Sequence, residues 1–117
     1  MPKSSINRDD TYLLDILIAS KKAIKFTAGL NFQDFLESEL HQSAVIRPLE
    51  IIGEAAGKIS QETRSAYPKI PWKSMIGMRN RLIHDYLDID LQTVWDTIQV
   101  DLPSLIAVIE PLIPPEE

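Results

Sequence analysis

Eight consecutive residues, Arg79-Asn80-Arg81-Leu82-Ile83-His84-Asp85-Tyr86, concentrate the side chains of this chain best suited to chemistry. Arginine offers a permanent charge and a planar fork that matches a phosphate. Histidine exchanges a proton near neutral pH, and a tyrosine hydroxyl stands two residues beyond it. Arg79, His84 and Tyr86 together form a kit for cleaving RNA through its 2′-hydroxyl, and none of these steps calls for a metal. Placed on one helix, Arg79 and His84 diverge by roughly 140°, so a cleft assembled from two copies would unite them more easily than one copy could. Asn80 precedes His84 by four residues, the spacing at which an amide hydrogen-bonds an imidazole and orients it.

The elements that must position these groups follow from apolar spacing. Asp9 or Asp10 is a candidate cap for a first helix carrying Leu13, Ile16, Leu17, Ala23 and Ile24, which Gly29 ends. Asn31 caps a short turn through Phe32, Phe35 and Leu36. A long second helix carries Val45, Leu49, Ile52, Ala56 and Ile59. Pro48 removes its bond to the carbonyl of Ala44 and predicts a kink or break there. Gly53 and Gly57, one turn apart, predict close approach of another helix.

Tyr67 to Pro71 reads as a turn, and Pro71-Trp72 as the start of a third helix. Its apolar face is Trp72, Met75, Ile76, Leu82, Ile83 and Tyr86, with Arg79 on the same stripe. A guanidinium there needs an anion, whether Glu54, Asp85, Asp88 or a ligand phosphate. Asp88 or Asp90 caps a fourth helix with the stripe Leu91, Val94, Trp95, Ile98, Leu102, Leu105, Ile109 and Leu112, bent at Pro103. The architecture implied is all-α, an antiparallel bundle of four main helices in a single domain over residues 1–117, with frayed ends at 1–8 and 114–117. The wide stripes of helices two and four predict a homodimer.

Composition narrows the function classes. With 117 residues, 44% hydrophobic and 25% charged, the chain suits one modest core. The absence of cysteine excludes disulfides, thiolate metal sites and cysteine nucleophiles. Lacking an apolar signal core or membrane-length run, the sequence reads as cytoplasmic, with no membrane role. A net charge of −5 opposes bulk coating of nucleic acid, so contact with RNA must be local. Lys21, Lys22 and Lys25 read as solubilising charge, and His41 as structural.

The spacing Arg79, four residues, His84, one residue, Tyr86 resembles the motif of the HepT-like branch of the HEPN superfamily, including the polar Asn80 after the arginine. The resemblance extends from about Asp9 to Ile113 through Ala44-Val45-Ile46-Arg47, Leu49-Glu50-Ile51-Ile52-Gly53-Glu54-Ala55-Ala56, Ile70-Pro71-Trp72, the run Ile76 to His84, and Val94-Trp95. It implies a homodimeric toxin of a type VII toxin-antitoxin pair, acting as a metal-independent endoribonuclease on tRNA or mRNA without a cofactor. Arg79 and His84 take the catalytic roles and Asn80 a supporting one. The implied partner is a minimal nucleotidyltransferase antitoxin that transfers AMP to Tyr86 and blocks the cleft. Pro48 departs from the helix former expected in relatives.

Two other readings are open. Asp85, Asp88 and Asp90 beside His84 suggest a Mg²⁺ or Mn²⁺ site, although aspartates ahead of a helix are ordinary caps. A non-catalytic helical module that binds and regulates a nucleotidyltransferase would use Arg79 and His84 to touch nucleotide instead of cutting RNA.

Overall fold

The computed structural model describes residues 2–84 and 88–114, with side chains from residue 8 onward. Helix α1 spans Pro2–Thr27 and buries Leu13, Ile16, Leu17, Ser20, Ala23 and Thr27, a stripe at steps of three and four. Gly29, at φ +82°, ends the segment in the left-handed region that glycine adopts without steric cost. The helix begins well before the expected caps. Asp9 therefore lies inside α1, where its carboxylate caps another element.

Helix α2, Phe32–Leu36, starts at Asn31 as expected. Asn31 Oδ1 accepts from the Asp34 amide at 2.8 Å, and Asp34 Oδ2 accepts from the Asn31 amide at 3.1 Å, so each satisfies the other's free donor. Phe35 is fully buried and stacks at a tilt on Trp95, ring centroids 5.4 Å apart.

Helix α3, Glu39–Lys58, runs antiparallel to α1, because Asp9 near the start of one meets Ser60 just past the end of the other. No break occurs at Pro48. The ring is buried within one continuous helix, so packing compensates for the lost bond to Ala44. Helix α4, Gln61–Ala66, is a short element that apolar spacing does not reveal. Asp9 accepts from the Ser60 amide at 3.0 Å, from Ser60 Oγ at 2.6 Å and from Thr63 Oγ1, tying α4 to α1. Arg64 then donates to the carbonyls of Ala56 and Gly57, satisfying acceptors left free at the end of α3.

Helix α5, Trp72–His84, packs along α3. The last arm comprises α6 (Leu91–Asp96), a π-helical turn (Thr97–Asp101), α7 (Leu102–Ile109) and a 3₁₀ turn (Glu110–Leu112). Asp90 caps α6 by accepting from the amides of Gln92 and Thr93. The π turn ends two residues before Pro103, whose missing amide cannot bond Gln99 within that turn, so the bend expected at that proline takes the form of a widened turn. Its wide pitch keeps Val94, Ile98 and Leu102, spaced four and four, on the buried side with Leu105 and Ile109. This arm lies antiparallel to α1: Gln99 donates to Thr27 at 3.0 Å and Lys21 pairs with Glu110 at 2.8 Å.

The architecture is thus all-α, with four main helical arms, and no helix among the described residues is long and apolar enough to cross a membrane. Most of the stripe in the fourth arm is consumed by this chain's own core, not left for a second copy. Exposed large apolar groups are spread over several elements, among them Leu14 and Ile18 on α1, Ile83 on α5 and, off the stripe of the last arm, Val100 and Val108.

Candidate functional site

Helix α5 is anchored at its start by Trp72, whose indole donates to the Tyr67 carbonyl at 3.2 Å, and along its length by buried Met75, Met78 and Leu82. Met78 belongs to the core face, although the spacing argument passed over it. Ile83, expected on that face, is 41% exposed and Ile76 is half-buried. The true inward face is therefore rotated relative to the expected stripe, and Arg79 sits at its edge rather than at its centre.

Gly53 explains how a guanidinium tolerates that edge. A Cβ added to Gly53 would stand 2.2 Å from Arg79 Cβ and 2.7 Å from the Met75 carbonyl oxygen, so α3 and α5 meet there only because the side chain is absent. Gly57, expected to serve the same purpose, faces open space. The close approach presses the stem of Arg79 against α3 and leaves its Nε buried without a hydrogen-bond partner among the described residues. Glu54, one candidate partner, is instead bound to Arg47 at 3.3 Å. Asp88 makes no ion pair with Arg79, and Asp85 lies outside the described residues. The outer end of the guanidinium donates from Nη1 to Asn80 Oδ1 at 3.3 Å.

This contact gives Asn80 a different partner from the imidazole expected for it. Its amide oxygen holds Arg79, and no Asn80–His84 bond occurs among the described residues. His84 ends α5 with an exposed imidazole. Helix geometry places it roughly 140° from Arg79, as the spacing indicated, and the structure does not bring the two into one cleft of this chain. Tyr86 lies outside the described residues. His41 accepts or donates through Nδ1 to Ser38 Oγ at 2.6 Å at the start of α3, the structural role expected of it. Among the described residues, no three His, Cys, Asp or Glu side chains converge as cation ligands.

Two clefts flank α5, and Arg79 lines neither of them. One, of about 340 Å³, is lined by Met78, Arg81, Leu82, Asp88, Asp90 and Thr93. The other, of about 200 Å³, lies beneath Arg81, Ser74, Thr97 and Asp101 over Leu49 and Ile52. Arg81 borders both clefts. Its signal was available in the sequence: Lys73, Gly77 and Arg81 fall at steps of four, with a glycine between two cations.

The family model described as "Ribonuclease HepT-like" matches residues 16–112. A protein of Methanocaldococcus jannaschii described as a "Putative RNase" is 41% identical over 105 residues, covering 90% of this chain and 88% of its own. A "Probable ribonuclease HepT" of Thermococcus cleftensis is 45% identical over 94 residues, covering 80% of this chain and 86% of its own. No solved structure matches the chain. With the family model covering most of the chain and relatives similar over nearly their full length, the chain belongs to the HepT-like family of the HEPN superfamily.

Proposed function

We propose that this protein is a metal-independent endoribonuclease, the toxin of a toxin-antitoxin pair, in which Arg79 and His84 act on tRNA or mRNA. The observation that carries the reading is the state of Arg79: its stem is clamped against Gly53, its Nε is buried without a partner among the described residues, and its outer nitrogen is held by Asn80. A guanidinium clamped by its stem, with Nε out of reach of solvent, presents its outer nitrogens in a fixed direction, and these are the groups with which a phosphodiester can pair. The names of the similar proteins in Methanocaldococcus jannaschii and Thermococcus cleftensis support RNA as the source of that phosphate.

In the reaction, a base removes the proton from the 2′-hydroxyl and the 2′-oxygen attacks the adjacent phosphorus. The bond from phosphorus to the 5′-oxygen breaks, and a proton is returned to that oxygen. The products are a 2′,3′-cyclic phosphate and a 5′-hydroxyl. Histidine is suited to moving these protons, and Arg79 to neutralising the charge that builds on the non-bridging oxygens. Because Arg79 and His84 diverge on α5, the site is composite: the arginine of one protomer faces the histidine of its partner across a two-fold axis. Ile76 and Ile83, which lie between Arg79 and Asn80 around the helix, supply apolar surface for that contact.

Regulation follows from Tyr86, two residues past His84. Transfer of AMP to its hydroxyl by a nucleotidyltransferase antitoxin would add negative charge within two residues of His84 and so repel an anionic substrate. Intact mass after incubation with such an enzyme and ATP should rise by an adenylyl group, and Tyr86→Phe should abolish the rise.

The direct test is cleavage of total tRNA and a long single-stranded RNA by purified protein in excess chelator, beside Arg79→Ala and His84→Ala. Cleavage by the wild type alone, leaving cyclic phosphate ends, is the expected result. Absence of cleavage by folded, unmodified protein would reject the enzyme and favour a module that regulates a nucleotidyltransferase.

A further inference from the structure

Helix α5 carries Lys73, Arg79 and Arg81 and no acidic residue, whereas the whole chain carries −5, leaving −8 on everything outside this helix. The ion pairs found among the described residues join Lys21 to Glu110 and Arg47 to Glu50 and Glu54, and none involves α5. A helix with this charge and no ion pair among the described residues, inside an acidic protein, is a local anion-binding ridge on the face turned away from those carboxylates that line its flanking clefts.

Its layout is specific. Lys73, Gly77 and Arg81 form one row at steps of four, and His84 begins the neighbouring row three residues further on. Lys73, Arg81 and His84 are all exposed. Arg81 Nη1 lies 3.7 Å from where a Gly77 Cβ would stand, so the guanidinium folds back over the bare turn toward Lys73. On the far side of Arg81 the clefts are lined by Asp88, Asp90 and Asp101, whose charge repels phosphate and confines a polyanion to the outer face.

We infer that the row Lys73, Gly77 and Arg81 is a track for the backbone of single-stranded RNA leading to His84, so that substrate is held through several phosphates on one side of the scissile bond. This inference rests on the ribonuclease reading for its cleavage consequences and on charge complementarity alone for its binding ones. Eleven residues of helix separate Lys73 from His84, about 16 Å, which spans about three to five nucleotides of one strand. Lys73 and Arg81 are positioning residues and do not touch the reacting atoms.

The test measures binding of a single-stranded 2′-O-methyl oligoribonucleotide, which lacks the attacking hydroxyl, to the wild-type protein and to Lys73→Gln, Arg81→Gln and the double variant. Lys25→Gln, on α1, serves as a control for total charge. Each track variant should bind several-fold more weakly at low salt, and the slope of log affinity against log salt should flatten by about 0.7 per charge removed. Cleavage of long RNA by the track variants should show raised KM with kcat unchanged, and a dinucleotide should be cut at the wild-type rate. Affinity and salt slope unchanged, or altered equally by Lys25→Gln, would overturn the inference, as would absence of binding by the wild type. That outcome would also follow if the row instead received an acidic protein. Should the wild type cleave RNA in chelator while slopes stay fixed, only the track fails. Flattened slopes without any cleavage would leave the track standing and reject the ribonuclease.

Discussion

Arg79 is held by one contact that tolerates no enlargement. Gly53→Ala places a methyl against both the Arg79 stem and the Met75 carbonyl oxygen, backbone that cannot yield cheaply. Overpacking of this kind costs about 1–3 kcal/mol, so the melting temperature should fall by roughly 5–10 °C, with cleavage lost in parallel as Arg79 is displaced. Gly57→Ala is the matched control. Its Cβ meets nothing, and the change should stabilise the helix by up to about 1 kcal/mol while leaving activity intact. Thermal melts of the two variants check both statements, and equal effects would contradict them. Sequence spacing marked both glycines as points of close approach, yet one faces a helix and the other solvent. That distinction is tertiary. The partner of Asn80 was hidden for a similar reason: an amide at this position reaches either Arg79 or His84, and the structure selects the arginine.

At the scale of elements, the short α4 hangs on Asp9. Burial alone would raise its carboxyl pKa, but hydrogen bonds from Ser60 and Thr63 outweigh that effect and hold it below the usual value of 3.8. A depressed folded pKa contributes stability that is present above the unfolded value and is lost as pH falls through the folded one. Asp9→Ala should therefore lower stability by about 1–2 kcal/mol at neutral pH, and the gap between variant and wild type should narrow below pH 4. Denaturant titrations across that range provide the check, and a constant gap would contradict the account. Nothing local in the sequence disclosed this pairing, because Asp9 and Ser60 are fifty-one positions apart. The long arms were legible because each buries a stripe that repeats at three and four residues. The π turn was not, since Pro103 announces a bend without specifying how the preceding turn absorbs it.

At the scale of the whole molecule, the two groups proposed to react sit on diverging faces of a single helix, and neither lines the two clefts beside α5. Motif and family were readable from the residues, but the surface through which two copies would meet was not: most of the stripe of the last arm is consumed in the core, and exposed apolar groups, Ile83 among them, lie off the stripes expected to form it. Ile83→Glu, at a position 41% exposed, should leave the fold intact, yield a monomer by sedimentation and abolish cleavage. A dimer with full activity would place the interface elsewhere.

The central claim is that Arg79 and His84 form one catalytic site across two protomers, and complementation tests it most directly. Arg79→Ala and His84→Ala proteins, each inactive alone, are mixed under conditions that exchange protomers and assayed on single-stranded RNA in excess chelator. In a symmetric dimer half the molecules become mixed and each mixed dimer regains one intact site, so about a quarter of wild-type cleavage should return. Recovery near that level would establish the shared site. A mixture as inactive as its components, or cleavage surviving in either variant alone, would contradict it.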